Sequence, residues 1–412
     1  MRFARPALTA LVVALLAACG SGDNGPSTGA LIGSPTTVGT LPKAALSAPC
    51  DVKVVGLEYT TPAVRAGVNS NASAGLLVPE GTDAACRGPF PLIAYARGTE
   101  VDKRRTMAST SDAEMLGMAK VFASWGYVVV ATDYLGFAKS AHPYHPYLHS
   151  DSEATAVVDS IRAARAYAQT AIIPLSGKVM LYGYSQGGHS SLATQKAIET
   201  SPSLRSEIQI AAAGHGAAPS ALGTSLRSGA EIAGGQYFVP FLITAWQKVY
   251  GDVYTSPAQV FKAPYSGYIE DLLPAPADTY TTLVTSGKLP ASDYSAAMFQ
   301  PTFVPSLQDG SSGVIRAALR NDLVASGWTP SSQTRFCAGS GDPTVPYATA
   351  QKLALDKWGT LANVSSRDVD PEVQAAAAAQ GLTQLQLLGS YHGALAPAVC
   401  LTDMRAYFDA RR

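Results

Sequence analysis

Ser185 stands in Gly183-Tyr184-Ser185-Gln186-Gly187-Gly188, between an apolar run through Met180 and Leu181 and a helical pattern carrying Leu192, Ala193, Ala197 and Ile198. A strand, a sharp turn and a helix in that order push a serine hydroxyl out at the top of a sheet. The glycines are needed because strand and helix pass so closely that a Cβ at 183 or 187 would collide. The bare Gly-x-Ser-x-Gly pattern arises by chance in roughly one chain in seven of this length, so context decides. Gly25-Pro26-Ser27-Thr28-Gly29 also matches, yet no strand precedes it and no helix follows it.

A serine hydroxyl at its normal pKa is a weak nucleophile. It needs a base, and the base needs an orienting acid. Three histidines follow Ser185: His189, His215 and His392. His189 lies one turn along the elbow helix and cannot easily arc back; His215 reads as a core or cap contact. His392, in Gly389-Ser390-Tyr391-His392-Gly393, sits in a loop near the C-terminus, where the base belongs. The acid is sought in Gly339-Ser340-Gly341-Asp342-Pro343-Thr344-Val345-Pro346, where Asp342 leaves a strand end and Pro346 begins a helix. A tetrahedral oxyanion needs donors. The Gln186 amide at the helix N-terminus is one, and Thr99 after the third strand is the other, with Gly98 next. His142, His145 and His149 are broken up by Pro143 and Pro146 and lack a metal-site spacing. They read as a rigid aromatic loop near the site, and no metal or cofactor is expected.

These groups need a scaffold. Residues 52–61, 74–78, 91–96 and 127–131 read as strands, and the Ser185 strand, 208–213, 334–339 and 364–369 continue the series. Helices alternate with them. One opens at about 111 with Ser111 and Glu114 as a capping box, Met115, Met118, Phe122 and Trp125 on one face, and Gly126 as stop. Another opens with Ser150 and Glu153 and buries Val157, Val158, Ile161 and Ala164. This alternation predicts an α/β fold with a mostly parallel sheet flanked by helices. From about 217 to 331 it breaks into an aromatic and proline-rich stretch, read as a helical cap over the strand ends that forms the acyl or alcohol pocket. The alternative is a helical subdomain with no substrate role.

Residues 1–18 carry Arg2 and Arg5, then an apolar run too short to span a bilayer, and read as a secretory signal. Leu16-Ala17-Ala18-Cys19 is similar to a bacterial lipoprotein signal, which implies lipidation of Cys19 and a membrane anchor, at the outer membrane if the cell has two. An ordinary cleaved signal and a secreted protein are the alternative. Residues 19–48 read as a flexible linker, and 49–412 as the folded domain. Without the signal, 28 basic residues face 30 acidic ones, a net of −2, so nothing recruits nucleic acid. Of five cysteines, Cys19 taking a lipid leaves four. A Cys337–Cys400 bridge would tie the acid and base segments together, and Cys50–Cys86 would staple the first strands, although four cysteines permit three connectivities.

Over roughly 50–400 the chain resembles the α/β-hydrolase superfamily, and within it the secretory lipases similar to the fungal lipase A group. The resemblance rests on Gly183–Gly188, on Asp133-Tyr134-Leu135-Gly136, on His145-Pro146-Tyr147-Leu148-His149-Ser150-Asp151-Ser152-Glu153, and on Gly341-Asp342-x-x-Val345-Pro346. It implies hydrolysis of carboxylic esters, lipid esters included, without a cofactor, and a cap between the sixth and seventh strands. Where such proteins carry His-Gly before the oxyanion residue, this chain has Arg97-Gly98. Two other readings stand beside an esterase. One is an exopeptidase, for which Glu231 or Glu270 in the cap would bind a free amine. The other is a catalytically silent surface-binding lipoprotein.

Overall fold

Leu92 and Ala94 face one way from their strand and Ile93 and Tyr95 the other, and all four are buried. A strand apolar on both faces needs helices on both sides. The computed structural model supplies them. It describes Met1 and residues 28–65, 67–228, 231–291 and 297–412. The remainder of the expected signal, Cys19, and Gly25 to Ser27 of the second serine motif lie outside the described residues.

The strands are β1 (Thr36–Leu41), β2 (Asp51–Pro62), β3 (Asn69–Glu80), β4 (Phe90–Ala96), β5 (Val128–Thr132), β6 (Leu175–Tyr184), β7 (Gln209–Gly216), β8 (Thr334–Ala338) and β9 (Val364–Asp368). They form one sheet in the order β1-β2-β3-β5-β4-β6-β7-β8-β9. The first three pairings are antiparallel and those from β5 to β9 are parallel. Ile93 and Tyr95 pack with Met115 and Met118 of the helix Ala113–Val121 and with Phe408 of the helix Ala396–Asp409. On the other face Leu92 and Ala94 meet Val157 and Ile161 of the helix Ser150–Thr170.

Four local expectations differ in the structure. Thr36–Leu41 falls in the expected linker, yet pairs with β2 as an edge strand. Counted from β2, the cap follows the sixth strand; β1 adds one in front. The first helix is capped by Asp112, which accepts from the Met115 amide at 3.1 Å, and not by Ser111. Trp125 lies beyond that helix in a 3-10 turn and is 40% exposed, so it leaves the inner face. The second helix is capped by His149 and not by Ser150. Glu114 and Glu153, the acidic members of the two expected boxes, are used elsewhere.

Between β7 and β8 the chain forms the cap. Its helix Gly235–Tyr250 anchors a separate core of Phe241, Trp246, Phe261, Phe299 and Ile315, which also takes in Phe137 and Tyr147 from the body. Among the described residues no helix is long and apolar enough to cross a membrane. The expected disulfides Cys50–Cys86 and Cys337–Cys400 are both formed.

Candidate active site

The loops after β4, β6 and β8 leave one edge of the sheet, the carboxyl ends of the parallel strands, where α/β sheets collect their functional groups. Ser185 occupies the turn between β6 and the helix Gln186–Thr200 with φ 61° and ψ −123°, a backbone region that non-glycine residues rarely adopt. The turn is held by the Ser185 amide donating to the Gly216 carbonyl at 2.9 Å. A Cβ on Gly183 would lie 2.0 Å from the Gly187 carbonyl oxygen, and one on Gly187 would lie 1.9 Å from that of Ala96. The motif's glycines are therefore required by close backbone approach.

Asp342 leaves β8 through the glycine-rich turn; its Oδ1 accepts from the amides of Thr344 and Val345 at 2.8 and 3.0 Å, which fixes the carboxylate. The segment after Pro346 begins as a 3-10 turn, and its helix starts only at Gln351. His392 is not in an open loop. It lies in a π-helical turn, Tyr391–Leu395, between two helices, an irregularity often found where a side chain must be re-aimed. The turn brings Nδ1 to 2.6 Å from Asp342 Oδ2 and Nε2 to 2.7 Å from Ser185 Oγ. Three residues spread over more than half the sequence thus form one hydrogen-bonded line. Cys337, in β8, is bonded to Cys400, in the helix after the π turn.

Two cavities meet at this line. One, of about 550 Å³, runs under the cap and is lined by Ser185, Gln186, Leu222, Leu226, Val239 and Leu242 among others. The other, of about 490 Å³, is lined by Ser185, His392, Thr99, Arg105, Glu114 and Tyr237 among others. The Thr99 amide has no acceptor among the described residues, and its hydroxyl pairs with Tyr147 Oη at 2.9 Å. Gly98 is a poorer donor, because its amide already donates to Glu114 Oε1 at 2.9 Å. Glu114 also accepts from Tyr95 Oη and from Arg105, which reaches Glu100 and Asp112 as well. Arg97 lines neither cavity. It is fully buried with its guanidinium 4.2 Å over the Phe137 ring, while its carbonyl accepts from Tyr134 Oη.

Three other histidines, His145, His189 and His215, are buried and line neither cavity. His215 lies within β7, bonded to Ser191 and Gln195, and burial pushes its imidazole down to about 3. His189 sits beneath the elbow with Nδ1 3.4 Å from Glu153 and Nε2 3.1 Å from the Asn321 carbonyl. His145 is 1% exposed, stacks on Tyr134, and burial pushes it down to about 4. Burial alone would push the Glu153 carboxyl up; His189 and the hydrogen bonds to it outweigh that and hold it below the ordinary value. Of the cap carboxylates, Glu231 is exposed and lines the cap cavity, whereas Glu270 accepts from Tyr254 Oη. The sequence offers Glu153 as a capping-box member and Tyr147 as part of a motif; nothing in local spacing says what they touch in the folded chain.

Comparison with known proteins bears on the family and the fold. Residues 102–253 match the family model described as secretory lipase. The chain is 31% identical to the rice cell wall degrading esterase LipA of Xanthomonas oryzae, covering 94% of this chain and 100% of that one with a TM-score of 0.83. Candida antarctica lipase A in its closed state shares the fold at 16% identity, with 92% and 90% of the two chains covered and a TM-score of 0.60. No match is found among curated proteins. With the whole of the Xanthomonas esterase aligned, the chain belongs to the lipase/esterase family of α/β-hydrolases.

Proposed function

We propose that this chain is a serine hydrolase of carboxylic esters that works through Ser185, His392 and Asp342. The observation that carries the reading is the continuous line Asp342 Oδ2–His392–Ser185 Oγ, with both hydrogen bonds at or below 2.7 Å. In it, His392 Nε2 takes the Ser185 proton as Oγ attacks the ester carbonyl. Asp342 accepts from Nδ1–H and stabilises the imidazolium. The amides of Gln186 and Thr99 receive the oxyanion. His392 returns the proton to the departing alcohol, and water then releases the acyl group from Ser185. Two cavities meeting at one nucleophile suit an ester, with an acyl side under the apolar cap and an alcohol side by Thr99 and Arg105. No cofactor enters this chemistry.

The test is hydrolysis of chromogenic acyl esters of graded length, beside the matching peptide amides. Ester turnover that falls by about 10⁴-fold or more in Ser185→Ala supports the reading. Turnover of amides alone would move the exopeptidase reading, with Glu231 as the amine site, ahead. Turnover of neither would leave a surface-binding protein.

The N-terminal sequence supports export, and the Leu16-Ala17-Ala18-Cys19 run supports a lipid anchor in the cell envelope. Labelled fatty acid should enter the wild type and not Cys19→Ala; equal labelling of the two contradicts the anchor.

A further inference from the structure

Gln186 is the residue whose amide would face the oxyanion, yet its side chain points the other way and is 2% exposed. Its Nε2 lies 2.7 Å from His145 Nε2 and 2.7 Å from Glu153 Oε1. The chemistry of the partners fixes the protons. His145 Nδ1 faces the Leu135 carbonyl at 2.9 Å, so Nδ1 carries the hydrogen and Nε2 is left to accept. The two N–H groups of the Gln186 amide are therefore both spent, one on the imidazole and one on the carboxylate. Glu153 is held in turn. Oε1 also accepts from the Leu148 amide at 2.9 Å, and Oε2 accepts from Ser190 Oγ at 2.6 Å.

The same stretch reaches the second donor. Tyr147 lies between His145 and Leu148, and its hydroxyl meets Thr99 Oγ1 at 2.9 Å. Its ring stacks on Phe241 of the cap at 4.5 Å and 8°. Leu148 is held at φ 53°, a conformation costly for a branched side chain. A buried carboxylate and a strained leucine persist only where the surroundings over-determine them.

We infer that the nine residues from His145 to Glu153 are a positioning frame for both halves of the oxyanion hole: His145 and Glu153 clamp Gln186 through its side chain, and Tyr147 holds Thr99. Within it, His145 and Glu153 are buried and line neither cavity, whereas Tyr147 and Leu148 also form wall of the cavity under the cap. The frame sets where two amides point, and preorganised donors act only when correctly aimed. This rests on the esterase reading, and it assigns His145, Tyr147 and Glu153 as positioning residues outside the hydrogen-bonded line of Ser185, His392 and Asp342.

The experiment uses the purified exported chain with Tyr147→Phe and Glu153→Gln. Active sites are counted with a fluorophosphonate, so turnover refers to each competent Ser185. A misaimed oxyanion hole lowers kcat and leaves KM nearly unchanged, and it weakens a tetrahedral trifluoromethyl ketone by the factor lost from kcat/KM. The expected loss is about tenfold for Tyr147→Phe and about hundredfold for Glu153→Gln, the latter close to removal of one donor. A purely structural role instead lowers the count of competent sites and leaves turnover per site and ketone affinity at wild-type values. That outcome overturns the inference, and Tyr147→Phe decides it alone if Glu153→Gln fails to fold. A wild type that hydrolyses no ester overturns the esterase reading and this frame together; an active wild type with unaltered variants overturns the frame alone.

Discussion

At the scale of residues, the chain separates histidines that stay neutral from the one proposed to work. His145 and His215 are buried, and burial holds them at about 4 and about 3. Both folded values lie below the unfolded value of about 6.5. Their contribution is therefore complete above that value and is lost as pH falls towards the folded pKa, because the unfolded chain takes up protons that the folded one refuses. By pH 4.5 each has lost about 2–3 kcal/mol. Thermal unfolding should show a falling Tm between pH 6.5 and 4.5, with a shallower fall in His215→Gln; a flat profile contradicts this. Ser185, Asp342 and His392 were all legible in the sequence, since the elbow glycines, the strand-end aspartate and the chain order constrain them. Glu114 and Glu153 were not. Each stands three residues after a serine, so each mimics a capping box, and only the folded chain shows the Gly98 amide and the Gln186 side chain that claim them.

At the scale of elements, the strand and helix series followed the hydrophobic period closely, because the central strands are buried on both faces. Thr36–Leu41 escaped for the converse reason. Its residues are exposed or half-exposed, so no alternation marks it, and it is a strand only because β2 offers an open edge. The π-helical turn at His392 was equally hidden, since the period of the flanking helices says nothing about one extra residue. The Cys337–Cys400 bridge joins β8, which leads to Asp342, to the helix that follows His392, across 63 residues. Loop-closure entropy puts its contribution at about 4 kcal/mol. Replacing both cysteines by serine should lower the urea midpoint accordingly, and an unchanged midpoint would show that the two segments are held by packing alone.

At the scale of the molecule, the cap stands over a cavity that Ser185 lines. It carries its own apolar core, and the walls of this cavity include Leu222, Leu226 and Val239. Composition marked this stretch as aromatic and different, yet could not give the cavity's shape, which depends on how the cap helices cross the strand ends. If this cavity takes the acyl group, Leu226→Phe should cut kcat/KM for long-chain esters by about tenfold or more and leave short-chain esters within about twofold. An equal loss at every chain length would place the acyl group elsewhere, in the cavity by Thr99 and Arg105.

The central claim is that Ser185, activated by His392, is the nucleophile. Its most direct measurement is fluorophosphonate labelling followed by peptide mapping, with ester turnover recorded as labelling proceeds. The account predicts a single adduct, on Ser185, whose formation removes ester hydrolysis in step and is suppressed in His392→Ala. An adduct on another residue, or full turnover from a chain labelled at Ser185, would contradict it.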